Sequence, residues 1–456
     1  MSEQPPGGGG GGGGGGVPWR RIASASAFNF ALQVFSAGAM LAVGVLLGRW
    51  LGPEGVGIYA LGFAAVNIGS VIARLGLEAV VVREIAVLAP RGDGARIRGL
   101  LAFSAAATTA AAVAVGVIAV CAHVVAGADP QLVRTQAAAM GLLLVLTVSI
   151  VPASALRGLH HVALANLPLM GVRPALFLAA VIALSSSSRA PEPWLAMASH
   201  TASAAIALIV LLGLTAARLP ASVAAATARI EGRAWMAGAL PLLLLGGLGV
   251  INRQTDIVMM GILADEAQTG AYSVSVQLAS FGLFVIQAAN VVLAPRFAAI
   301  HASGDRSQLQ RLLAISSGAI LAASVPVALG LIGFAGPLLG MYGEGFGVGH
   351  TALVILASAS LVNAAVGNIG HLLIMTRSEA GLNSVFAVTA LLNVGLNLAL
   401  IPRWGPTGAA AATATSTVAW NLALIVLVRV RLGLYPTVLG VWVRPGAPPG
   451  GSGPPG

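Results

Sequence analysis

LGRWLGPEGVGIYALGFAAV, residues 47–66, decides how the rest of the chain is read. An apolar stretch ends in a Gly-Pro turn, Gly-x-Tyr follows, and a second apolar stretch begins. MGILADEAQTGAYSVSVQLA, residues 260–279, has the same plan. One ungapped offset of 213 sets Gly48 on Gly261, Gly57 on Gly270 and Tyr59 on Tyr272. It also sets Arg83 on Arg296 and Arg98 on Arg311. The pattern is an internal repeat: a span, a tight loop, a second span, then a basic loop.

The composition says where these spans reside. Of 456 residues, 57% are hydrophobic and 8% charged; soluble domains carry roughly 25% charged residues. Mean hydropathy is +0.92. Breaks of polar, Gly and Pro residues leave twelve apolar spans: 22–48, 56–75, 99–126, 136–156, 167–185, 194–217, 237–262, 271–294, 309–335, 349–376, 380–401 and 407–430. Each has about the length a bilayer crossing needs. The expectation is an all-α integral membrane protein.

Arginine placement orients it. All 24 basic residues are arginine. With a cytoplasmic N-terminus, outer loops hold only Arg49, Arg134, Arg189 and Arg403. Arg173 and Arg253 lie inside spans, and the other 18 fall on the cytoplasmic side, as the positive-inside rule asks. The repeat offset skips an even number of spans, so both copies point the same way. Two six-helix bundles related by a pseudo-two-fold axis along the membrane normal follow, with a cleft between them. The expected division is a Gly-rich N-terminus at 1–19, one bundle at 20–218, a cytoplasmic linker at 219–236, a second bundle at 237–431 and a cytoplasmic Gly/Pro-rich tail at 432–456. The net charge of +10 is dispersed as single arginines, which is not a nucleic-acid footprint. There is no lysine, hence no Walker motif, and no nucleophile triad. His160 and His161 have no ligand partners at metal spacing, and no cofactor is expected.

Charges inside the spans carry the functional reading. GVINRQTDIVMMG, residues 249–261, crowds Asn252, Arg253 and Asp256 into an oily run. A lone charge at a helix centre costs on the order of 2.5–3.5 kcal/mol to insert. Arg253 and Asp256 are three apart and share a face. They form either a partly self-neutralised structural pair or the lining of a substrate cavity, where Asp256 orients the arginine or carries a coupling ion. Arg173, in LMGVRPALF, has no acid within a helical turn. It faces an anionic substrate, a partner on another helix, or the membrane surface. Arg74 and Glu78, four apart, read first as a structural pair and second as part of the substrate path. Arg83 and Arg296, repeat-equivalent on inner loops, guide a headgroup or only fix topology.

The stretch 47–66, followed by ARLGLEAVVVREIA at 73–86, resembles the start of Wzx-type polysaccharide flippases. These belong to the multidrug/oligosaccharidyl-lipid/polysaccharide exporter superfamily, the MATE-like transporters. TDIVMMGILADEAQTGAYSVSVQLA at 255–279 is similar to the family's seventh and eighth helices, with Asp256 in the usual aspartate position. LIPRWGPTGAAAATATS at 400–416 resembles its loop into helix twelve. The resemblance implies a cell-membrane flippase, not an enzyme. Its substrate would be a polyprenyl-diphosphate-linked oligosaccharide, carried from the cytoplasmic to the outer leaflet by alternating access through a cationic cavity. Proton, sodium or membrane potential would drive the cycle, and other polysaccharide assembly proteins would be partners. Two alternatives stand beside it: a multidrug exporter of organic cations, whose site favours carboxylates, and a membrane enzyme of lipid-linked glycan assembly, which needs a long outer loop.

Overall fold

The computed structural model describes residues 19–435, except 126, 189, 285, 288, 290–292, 294, 295, 298, 299, 301–304, 368, 370–372 and 374–378. The Gly-rich start and most of the tail lie outside the described residues, as do Arg189 and Arg377. The described residues form helices and loops, without strands. In order the helices are α1 Trp19–Arg74, α2 Leu77–Leu88, α3 Gly94–Val125, α4 Pro130–Gly158 and α5 Val162–Asn166. A π-helical turn, Leu167–Val172, leads into α6 Arg173–Ser185 and α7 Pro193–Ala216. Then come α8 Ala221–Ala225, α9 Gly232–Leu263, α10 Glu266–Ala279, α11 Arg306–Gly333 and α12 Ala335–Gly340. A 3-10 turn, Phe346–Gly349, precedes α13 His350–Val366 and α14 Glu379–Leu432.

Eight of these segments are long and apolar enough to cross a membrane. Two of the eight are hairpins. In α1, Gly52 has φ +69, and in α14, Gly405 has φ +52. Only glycine takes such angles cheaply. Each is followed by proline, Pro53 and Pro406, which is free of cost where a new helix starts. A straight α1 would hold Met40 and Phe63 about 35 Å apart, yet both line one cavity. The chain therefore doubles back at Gly52. With α9 and the start of the next span in α10, the passes follow the expected twelve.

The helices pack as two groups. Helices α1, α3, α4, α6 and α7 pack on one another, and α9, α11, α13 and α14 do likewise; α10 joins the second group through α13. The groups meet mainly where α1 touches α9 and α10. That meeting is its own image under the repeat. A Cβ on Gly57 would lie 1.9 Å from the Glu266 carbonyl oxygen, and a Cβ on Gly270 would lie 1.9 Å from the Pro53 carbonyl oxygen. Pro53 and Glu266 are themselves 213 apart. A reciprocal contact of this kind marks a two-fold axis, and only the missing side chains let the backbones approach so closely.

Two local features were not expected. The loop after the second span contains α2, whose Leu77, Val80, Val81 and Ile85 are buried against Trp235 and Ala239. The segment before α9 is tied to the first bundle: Arg98 donates to the carbonyls of Ala224 (2.9 Å) and Ala226 (2.8 Å), and Arg96 pairs with Glu231 at 2.8 Å. The helix of the second bundle starts directly afterwards, at Gly232.

Candidate functional site

Two adjoining compartments open here, the first between the groups and the second within the second group. The first, of about 360 Å³, is lined by Met40, Gly44, Tyr59 and Phe63 of α1 and by Gln254 and Gln277 of α9 and α10. The second, of about 330 Å³, is lined by Asn252, Arg253 and Asp256 of α9, Tyr272 of α10, Asn363 of α13, and Asn393 and Thr413 of α14. Gln254, Ile257, Val276 and Ser280 line both, so the two form one cleft with an amide-rich wall.

Asp256 is the anion of this cleft, and only 5% of it is exposed. A buried carboxylate needs donors, and α10 and the two arms of α14 supply them. Asn397 Nδ2 donates to Oδ1 at 2.7 Å, Tyr272 OH donates to Oδ2 at 3.3 Å, and the Thr413 hydroxyl donates to Oδ2. Asn397 also donates to Asn393 Oδ1 at 3.0 Å. The Thr413 hydroxyl has one proton but a second acceptor, the Ala409 carbonyl at 3.0 Å. Asn397 Oδ1 is buried without a partner.

Arg253 does not neutralise Asp256. Among the described residues its guanidinium makes no hydrogen bond and no ion pair. This corrects the expected self-neutralised pair: shared helical face was right, but Asp256 turns to α14 while Arg253 stays exposed in the cleft. Its Nη1 and the tip of the Phe386 ring both lie beside Gly249, 3.7 Å and 3.9 Å from where a Cβ there would sit. Asn252 lines the same compartment.

Arg173 lies elsewhere. It follows the π-helical turn, beside Pro174, and does not line this cleft. It lies near Tyr59 and His200, and its Nε is buried without a hydrogen-bond partner. Tyr59 OH meets His200 Nδ1 at 2.9 Å. His200 is 1% exposed and its Nε2 has no partner. Four rings lie close to parallel here: Phe177 on His200 at 4.1 Å, Phe63 on His200 at 5.6 Å, and Tyr59 beside Phe63 at 6.2 Å and Phe177 at 6.5 Å.

The repeat explains the resemblance between this cluster and the Asp256 site. Tyr59 and Tyr272 are 213 apart, and so are His200 and Thr413. Each tyrosine bonds the same place in its own bundle: Tyr59 to His200, Tyr272 to Thr413 at 3.4 Å. Sequence inspection missed Tyr59, His200, Asn393, Asn397 and Thr413 as site residues. Asn393 and Asn397 were findable, since two amides four apart within LLNVGLNLAL must share a helical face.

The remaining candidates stand apart from the cleft. Arg74 Nη1 pairs with Glu78 Oε2 at 3.6 Å, and neither lines a compartment. Arg83 is exposed and pairs with Glu84 at 3.4 Å. Arg296 is exposed. These four are not brought to the site that holds Arg253.

Comparison with known proteins agrees with the fold. Two solved structures are similar: an inward-facing multidrug resistance MATE family transporter of the MOP superfamily (TM-score 0.69, 14% identity, 86% of this chain and 94% of that one), and the lipid II flippase MurJ in an inward closed conformation (TM-score 0.66, 13% identity, 90% and 87%). A stretch of 163 residues is 24% identical to the probable low-salt glycan biosynthesis flippase Agl15 of Haloferax volcanii, covering 35% of this chain and 34% of that protein. The chain thus spans about a third of the length of that relative. The family model described as polysaccharide biosynthesis protein matches residues 23–301, more than half of the chain. With the twelve-pass plan, the two-fold contact and the polar cleft already in place, the chain belongs to the polysaccharide biosynthesis protein family.

Proposed function

We propose that this protein is a flippase for a polyprenyl-diphosphate-linked oligosaccharide, moving it from the cytoplasmic to the outer leaflet. The observation that carries the reading is the cleft. It opens between the two bundles and runs into the second, amides and hydroxyls stand among its apolar lining, and it exposes an arginine, Arg253, that is unpaired among the described residues. The physical difficulty in flipping is the polar headgroup, which must cross ~30 Å of hydrocarbon. Amides replace water for the sugars, and guanidinium suits a diphosphate through paired hydrogen bonds. The lipid tail remains in the bilayer. A membrane potential negative inside favours outward movement of an anion by ~2.3 kcal/mol per charge per 100 mV.

Asp256 is assigned to coupling. Its carboxylate and the Thr413 hydroxyl meet directly, and Asn397 beside them holds a buried oxygen without a partner; oxygen ligands are the donor type hard cations select. A sodium ion or a proton at Asp256 would free Asn397 and Thr413 from it, and so bias how α9 packs on α14. Arg173 acts as a positioning residue behind Tyr59, not as a substrate contact. Arg83 and Arg296 are assigned to the cytoplasmic rim.

An organic-cation exporter is the competing reading, and the placement of the charges disfavours it. The one carboxylate of the cleft is saturated by donors, while the arginine is open. Transfer of a fluorescent polyprenyl-diphosphate disaccharide between leaflets of proteoliposomes tests the assignment. Wild type should transfer it. Arg253→Ala should slow transfer about tenfold or more, the weight of a hydrogen bond to a charged group. Asp256→Asn should remove the response to a sodium or proton gradient. Transfer of a cationic dye in place of the lipid would overturn the flippase reading.

A further inference from the structure

The parallel rings at the first compartment have no role in the mechanism so far. We infer that Tyr59 and Phe63, with Gln254, form a sugar-binding subsite separate from the diphosphate subsite at Arg253; this rests on the flippase reading above. Tyr59 and Phe63 sit one helical turn apart on α1, and both line the compartment. Their planes differ by only 8°. The rings behind them are not in the lining: Phe177 and His200 are fully buried, and they back the wall with near-parallel stacking. The Tyr59 hydroxyl is committed to His200, so the ring is held in one orientation before any ligand arrives. A prearranged aromatic wall spares a ligand the entropy of ordering it.

The opposite side of the compartment has different chemistry. Gln254 makes no hydrogen bond among the described residues and offers two donors and an acceptor. Gln277 reaches across the bundle interface, donating to the Met40 carbonyl at 3.0 Å. An aromatic wall facing the free carboxamide of Gln254 is a pairing for a ring that is apolar on one face and hydroxylated at its edges, which describes a pyranose. A polyprenyl chain would use the rings but leave the Gln254 amide unpaired, an unfavourable arrangement in a low-dielectric site. Gln254 lines both compartments, which sets the sugar subsite next to the place where the diphosphate meets Arg253. The two subsites follow the order in which a carrier presents diphosphate and first sugar.

The test compares two fluorescent ligands on the full-length protein in detergent: polyprenyl diphosphate bearing a disaccharide, and the same carrier without sugar. Wild type should bind the glycosylated carrier more tightly. Phe63→Leu, which keeps apolar bulk and removes the ring, should lose about fivefold to tenfold of that preference, with affinity for the bare carrier unchanged. Gln254→Met should lose a similar share, and it serves if Phe63→Leu does not fold. A wild type with no preference for the sugar-bearing carrier, or variants whose preference is intact, would overturn the subsite while leaving the diphosphate site in place. Wild type that binds neither carrier would overturn the flippase reading itself, and the subsite with it.

Discussion

Tyr59 and Tyr272 occupy the same place in the two bundles, and their surroundings have diverged completely. Tyr272 joins Thr413 and Asn397 around a buried carboxylate, Asp256. Tyr59 joins His200 within a set of stacked rings, in reach of the positive Arg173. The scaffold is symmetric: the axis glycines, the tyrosines and the residues they bond all obey one offset. The chemistry is not. A duplicated bundle can keep its packing because packing depends on backbone approach and side-chain volume. Polar groups that line a cleft are free to specialise so long as each finds a partner. One bundle therefore presents oxygen groups and a carboxylate, and the other presents aromatic rings, across a single axis.

The largest effect should come from the carboxylate, because three side chains are arranged around it. Asp256→Ala leaves the Asn397 amide, the Tyr272 hydroxyl and the Thr413 hydroxyl without their acceptor. Each buried group left unsatisfied costs about 1–3 kcal/mol, and part of this is recovered because Thr413 has Ala409, Asn397 keeps Asn393 and Tyr272 keeps Thr413. The net loss is a few kcal/mol, read as a drop in thermal unfolding temperature in detergent. Asp256→Asn keeps one acceptor oxygen and should lose clearly less. Equal losses for the two variants would mean that the acceptors around Asp256 do not form the tight site described.

Next in size is the axis contact, which tests the symmetric half of the comparison. A methyl on Gly57 or Gly270 would overlap a backbone carbonyl that no rotamer change can move. Overpacking of this kind costs about 1–3 kcal/mol. Because the contact is reciprocal, Gly57→Ala and Gly270→Ala should cost alike. The double variant should cost less than their sum, since the first methyl already wedges α1 from α10 and neighbours that share a backbone shift are not additive. Unequal single variants, measured by thermal unfolding, would place the axis away from this pair.

Much of this was legible from residue order alone. Apolar length, arginine asymmetry and one ungapped offset are local or periodic signals, and the helices, the two groups and the axis glycines follow them closely. The amphipathic helix α2 escaped notice because a short helix buried under a loop has no membrane-length signal. The partners of Asp256 escaped for a different reason. Thr413 is 157 residues away from it and Asn397 is 141 away, and no local pattern reports such distances. Arg253 and Asp256 were placed in the cleft by their cost in lipid, yet their supposed pairing was wrong. Spacing on one helix states which residues share a face, and not which neighbour each will choose.

The smallest effects separate the tyrosines themselves, and there the order runs against charge. A hydrogen bond to a carboxylate is ordinarily the stronger one, about 1.5–3 kcal/mol against 0.5–1.5 kcal/mol for a neutral pair. Tyr272 donates to Asp256 and Tyr59 meets a histidine, so Tyr272→Phe would be expected to cost more. The partners left behind decide otherwise. Asp256 retains Asn397 and Thr413, and its bond to Tyr272 is long, at 3.3 Å. His200 Nδ1 has only Tyr59, and its Nε2 is already without a partner. Tyr59→Phe therefore strands both nitrogens of a fully buried ring and should cost about 1–3 kcal/mol, while Tyr272→Phe should cost under about 1 kcal/mol. Replacing both members of a buried pair with apolar groups of similar shape is close to neutral, so adding His200→Phe to Tyr59→Phe should recover most of the loss. Thermal unfolding of the three variants checks the order. A larger loss for Tyr272→Phe would mean that the charge at Asp256, and not the isolation of His200, governs the pair.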